Sequence, residues 1–143
     1  MAITQGMATS FKVQLLNGLQ NFSSNTFKIA LYTSAATLGE STTAYSATNE
    51  CPSTGNYTAG GNTLTVNVTP TSSGNVAYVS FANTTWSNAT ITANGALIYN
   101  NTYGNAAVAI LAFGGDKTST DGDFTINFPT ADASSAIIRL TAS

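Results

Sequence analysis

Hydrophobic and polar residues alternate in several short segments of this chain. Phe27, Ile29 and Leu31, for example, fall on one side of an extended backbone, whereas Lys28 and Ala30 fall on the other. Alternation of this kind predicts β-strands with one strongly apolar face. Turn-forming residues separate the segments, which indicates a series of short strands. The predicted strand segments cover about residues 26–33, 64–68, 76–81, 90–93, 96–99 and 136–141, with a tight turn or bulge expected at Asn94-Gly95.

The segment 106–129 combines a continuous apolar run with a polar stretch and a second alternating run. Residues 107–113 are all apolar, as in a strand covered on both faces, and the alternation in 124–128 is typical of a strand with one wet face. Two Gly-Asp clusters, 114–116 and 121–123, contain residue types that readily adopt positive φ. The pattern therefore predicts a β-hairpin with a long polar tip.

A helical period appears only near the N terminus, where apolar residues recur every four positions: Met7, Phe11, Leu15 and Leu19. This spacing predicts an amphipathic helix over about 7–20 whose apolar face packs on the sheet. Thr4 or Gly6 is the expected cap at its start, and the polar run 21–25 is the expected stop.

Together these elements predict one domain over residues 1–143, with strands from about 26 to 142. The expected fold class is all-β, a mainly antiparallel β-sandwich or partly closed barrel with one N-terminal amphipathic α-helix.

The low content of charged residues determines which side chains cover the surface. Only 7% of the residues are charged, compared with about a quarter in typical domains. Hydroxyl and amide side chains must therefore cover much of the surface. The four cations lie far apart in sequence, so we expect no nucleic-acid partner. They are Lys12, Lys28, Lys117 and Arg139.

Sparse charge also leaves the strand edges with few of the residues that normally protect them. The chain has three prolines and four cations, and lysine and proline are the common edge-protecting residues. The edges are therefore short, covered by the N-terminal segment, or occupied by a neighbouring subunit.

Candidate chemistry is limited. The chain has no histidine and a single cysteine, Cys51, so it contains no His-based catalytic set, intrachain disulfide or thiolate cluster. Asp116, Asp121 and Asp123 cluster in the predicted hairpin tip, but their spacing departs from calcium-binding loops and turn chemistry explains them. We expect no enzymatic activity, metal or cofactor. The first 16 residues lack an export signal and no apolar run reaches membrane-spanning length, so we expect no membrane association.

The long connection 34–62 is the best candidate for a surface that meets a partner, because loops carry recognition more often than the framework does. Its candidate partner-binding residues are Tyr45, Cys51 and Tyr57, and Trp86 outside the segment is the fourth candidate. Trp86 has two interpretations. Its ring is either exposed as part of a carbohydrate-binding platform or buried as a plug in the core.

Four segments, taken in order, resemble a family of small structural proteins found in the virions of tailed bacteriophages: TFKIALYTSAATLG, YTAGGNTLT, TWSNATITANGALIYN and AVAILAFGGDKTSTDGDFTINFP. The resemblance implies a non-enzymatic virion component, assembled in the cytoplasm of a host bacterium, that decorates or cements the capsid shell. Its expected partners are the major capsid protein or other virion subunits, together with further copies of itself. The alternatives are a receptor- or glycan-binding module in the tail or on a head fibre, and a tail or connector component.

Overall fold

A computed structural model describes residues 2–141. Its elements in chain order are β1 (Gly6–Met7), α1 (Thr9–Leu16), β2 (Phe27–Tyr32), β3 (Asn62–Thr63), β4 (Val66–Ser73), β5 (Val76–Phe81), β6 (Thr84–Asn100), β7 (Ala106–Ile126) and β8 (Ile138–Leu140).

The strands form two antiparallel sheets that do not close into a barrel. The larger has the order β1-β7-β6-β2-β3, and the smaller has the order β4-β5-β8. These two sheets and the short N-terminal helix confirm the predicted fold class.

The predicted hairpin at 106–129 is wrong, because these residues do not fold back on themselves. Instead β7 runs as one strand through the predicted tip and pairs along its length with β6. The chain reverses earlier, in the polar loop 101–105. Gly114 and Gly115 do adopt positive φ, at 77° and 153°. They form a bulge, because β6 continues alongside and the pairing resumes at Lys117.

The helix lies where it was predicted but is shorter. It begins after Ala8, which makes no side-chain capping bond, and ends at Leu16, so both the predicted Thr4 or Gly6 cap and the predicted stop at 21–25 are wrong. Gly6 is instead held in β1, opposite Ile110. Phe11 is fully buried, as predicted for the apolar face, whereas Leu16 is 90% exposed.

The hairpin of β4 and β5 is also present, with its turn at Gly74-Asn75. Pro70 belongs to β4, an edge strand where a missing backbone N–H is tolerated.

Aromatic side chains hold the core together. The Phe22 ring stacks on Phe27 with 4.5 Å between centroids, and both rings contact Phe81 of the smaller sheet. Phe11 meets Phe22 edge to face, so the helix packs on the same cluster. This cluster joins the helix and both sheets.

Candidate functional site

The connecting segment, residues 33–61, is tied to the edges of two strands. The backbone N–H of Cys51 donates to the Leu31 carbonyl of β2 at 2.9 Å. Further along, the Thr90 N–H of β6 donates to the Gly55 carbonyl at 2.9 Å, and Asn56 Nδ2 donates to the Asn88 carbonyl at 2.9 Å. The segment therefore pairs with backbone that would otherwise form an open sheet edge.

Glu50 is the centre of a hydrogen-bond cluster inside this segment. Its carboxylate accepts from the hydroxyls of Tyr45 (2.6 Å) and Tyr57 (2.5 Å) and from the backbone N–H of Gly60 (2.7 Å). The Tyr57 oxygen also accepts from the Leu31 N–H at 2.9 Å. One carboxylate thus connects three parts of the connecting segment, and Tyr57 connects them to β2.

The pKa values in this cluster favour a structural role. Burial, followed by the hydrogen bonds to Glu50, raises the pKa of Tyr57 and Tyr45. Burial, followed by the Glu50 charge, raises the pKa of Tyr99 and of the Cys51 thiol to about 12 in each case. These groups therefore keep their protons at neutral pH, where the tyrosines act as hydrogen-bond donors.

The structure brings the four predicted partner-binding residues into one region but buries three of them. Cys51, Tyr57 and Trp86 are 3%, 2% and 5% exposed, and Tyr45 is half-buried. The Trp86 ring lies 5.8 Å from Tyr57 and 6.1 Å from Phe124, as expected for a core plug. Of the four, only Tyr45 lies where a partner could touch it in this structure.

An open sheet edge lies on the opposite side of the larger sheet, along β7. The first part of that edge is covered: Ala107 N–H donates to the Thr43 carbonyl, and β1 pairs with Ala109 and Ile110. Ala112 N–H is the last covered group, donating to Gln5 Oε1. Among residues 2–141, no strand pairs with this side of β7 over 113–126.

A groove of about 550 Å³ runs beside this open edge. It reaches from β7 to the residues around the start of β8, the edge strand of the smaller sheet. Its apolar lining includes Leu111, Phe113, Phe124, Phe128 and Ile137. The groove therefore joins an unpaired backbone edge to partly exposed hydrophobic side chains.

The far face of the β6–β7 pair is polar. The hydroxyls of Thr85 and Thr125 lie 2.9 Å apart, Asn94 Nδ2 donates to Asp116 at 3.0 Å, and the Thr90 hydroxyl donates to Asp121 at 3.4 Å. Sequence reasoning missed this arrangement because it assigned both aspartates to a turn. The alternating runs on either side of the polar loop 101–105 do predict this pairing, because two such runs joined by a short loop form an antiparallel hairpin.

No group of three or more His, Cys, Asp or Glu residues between residues 2 and 141 is placed to hold a metal ion. No helix in that part of the chain is long and apolar enough to cross a membrane.

Comparison of the chain with protein-family models, with curated proteins and with solved structures gave no match.

Proposed function

We propose that this protein is a non-enzymatic structural component of a tailed-phage virion that decorates the capsid and stabilises it by binding other protein subunits. The observation that carries the proposal is the open edge of β7 over 113–126, in a fold whose other long edge, on β2 and β6, is covered by the connecting segment. Unpaired strand edges are ready templates for association with another chain. The resemblance to virion proteins supplies the biological setting.

The binding surface in this proposal differs from the one expected from sequence. The connecting segment already pairs with β2 and β6, so we assign partner binding to the β7 edge and the groove beside it. A protein that binds an assembled shell better than free subunits stabilises the shell by mass action. Glycan binding through Trp86 is not included, because that ring is 5% exposed.

The test uses phage particles that carry this protein and matched particles made without it. We expect particles without the protein to release their DNA at lower temperature and after milder osmotic shock. Adding the purified protein back should restore stability and saturate at a fixed number of copies per particle. Equal stability of the two particle types would show that the capsid role is wrong.

A further inference from the structure

We infer that the open edge of β7 accepts an extended strand from another polypeptide, apolar on one side and basic on the other, which adds to the larger sheet. The inference rests on the proposed function only in assuming that the protein works by binding another protein. It goes further by specifying the chemistry of the bound segment.

The backbone along 113–126 provides the pairing surface. Its outward N–H and C=O groups meet no strand among residues 2–141, and added strands recognise such edges through main-chain hydrogen bonds. The chain already uses this mode itself, because Gly6–Met7 pairs antiparallel with Ala109 and Ile110 on the same side of β7. A bound strand would extend the larger sheet beyond the residues of β7 that pair with β1.

The register of β6 and β7 shows which side chains share the groove face. Buried Trp86 and Ala93 of β6 lie opposite Phe124 and Lys117 of β7, so these positions point to the same side. On that side a bound strand would place alternate side chains against Phe113, Phe124 and Phe128, which line the groove. Apolar side chains suit that surface.

The opposite face of the same strand is acidic. Asp116 and Asp121 lie there, hydrogen-bonded to Asn94 and Thr90 of β6. Asp123, by contrast, is one of the residues that line the groove. Two carboxylates therefore line the outer face of the open edge, and basic side chains on the bound strand would complement them.

This charge pattern disfavours a second copy of the chain as the occupant. Antiparallel pairing of two β7 edges keeps each face on its own side of the joined sheet. The aspartates of both copies would then share one face, while Lys117 would lie on the other. Like charges brought together across a strand pair are destabilising.

The experiment measures binding of three eight-residue peptides to the full-length protein. The first alternates valine and lysine, the second alternates valine and glutamate, and the third has the composition of the first in paired order (Val-Val-Lys-Lys). Trp86 is the only tryptophan and contacts Phe124 of the groove, so its fluorescence reports binding. Amide hydrogen exchange locates the bound strand.

We expect the alternating lysine peptide to bind about tenfold more tightly than either of the others at low salt, with the advantage over the glutamate peptide shrinking as salt rises. Exchange should slow at amides within 113–126. The double variant Asp116→Asn, Asp121→Asn should lose most of the preference for lysine over glutamate. A matched control, Glu40→Gln with Asp132→Asn, makes the same change in net charge at residues outside β7 and should keep that preference.

Equal binding of the lysine and glutamate peptides, binding of none of them, or protection of amides elsewhere would overturn the inference. So would a dimer that forms through β7 and excludes the peptides. Any of these results with particle stabilisation intact would leave the proposed function standing. Peptide binding as expected, with no effect of the protein on particles, would instead overturn the capsid role alone.

Discussion

Glu50 shows how one residue organises a long irregular segment. Glu50 is half-buried, and burial of a carboxylate is costly unless it is hydrogen-bonded. Its carboxylate receives three donors, two of them tyrosine hydroxyls. Tyr57 has a second role, because its oxygen also accepts the N–H of Leu31 in β2. The pair of Glu50 and Tyr57 thus holds the connecting segment against the sheet.

Replacing Tyr57 with phenylalanine tests this role. The variant should lose about 1–3 kcal/mol of unfolding free energy, because both the Glu50 carboxylate and the Leu31 N–H lose a partner in a buried site. Urea unfolding monitored by circular dichroism gives the value. Tyr103→Phe is the control, since that side chain is 37% exposed and its change should be within about 0.5 kcal/mol. Equal losses in the two variants would argue against the cluster.

At the scale of elements, the two long edges of the larger sheet differ in how far they are covered. The edge formed by β2 and the first half of β6 is paired with the connecting segment, whereas the described residues, 2–141, cover β7 only as far as Ala112. Asn56 is central to the covered edge: it adopts φ 67°, and its side chain donates to the carbonyls of Ser87 and Asn88. The connecting segment is therefore a structural cover for one edge of the sheet.

Substitutions at Asn56 should loosen this cover locally. Asn56→Ala loses the side-chain bonds and strains the positive φ, at a cost of about 1–2 kcal/mol, whereas Asn56→Gly loses only the bonds and should cost less. In both variants the amide of Thr90, which donates to Gly55, should exchange its hydrogen faster than in the parent protein. Unchanged exchange at Thr90 would mean that Asn56 does not hold the cover in place.

At the scale of the whole molecule, several buried weak acids titrate only at high pH. The pKa of the Cys51 thiol rises from 9.0 to about 12 and that of Tyr99 from 10.0 to about 12, mainly because of burial. The unfolded chain therefore releases these protons at lower pH than the folded protein does. Their contribution to stability is complete below the unfolded values and is lost as pH rises through the folded ones.

We expect the unfolding free energy to be independent of these groups below pH 9.0 and to fall steadily toward about pH 12. Urea unfolding at a series of pH values measures the trend. In Cys51→Ser the thiol is absent, so the fall should begin near the ordinary tyrosine value of 10.0 instead. An onset at the same pH in parent and variant would contradict the role of Cys51, and a flat profile to pH 11 would contradict the burial effect.

The sequence by itself determined the fold class and most of the strands. Phe27, Ile29 and Leu31 alternate with other residues and are all buried, and the four-residue spacing near the N terminus includes Phe11, which is also buried. The positive φ at Gly114 and Gly115 was also readable, because it depends on residue type.

Only the tertiary structure decided what those local features do. Gly114 and Gly115 make a bulge because β6 runs on beside them, and no local pattern shows which strand a segment will meet. Tyr57 and Trp86 carry polar atoms that suit a surface, yet nonlocal partners such as Glu50, Leu31 and Phe124 surround them in the core. Period-two alternation specifies a strand's faces, whereas its edges depend on its neighbours. The open edge of β7 therefore emerged only from the assembled sheet.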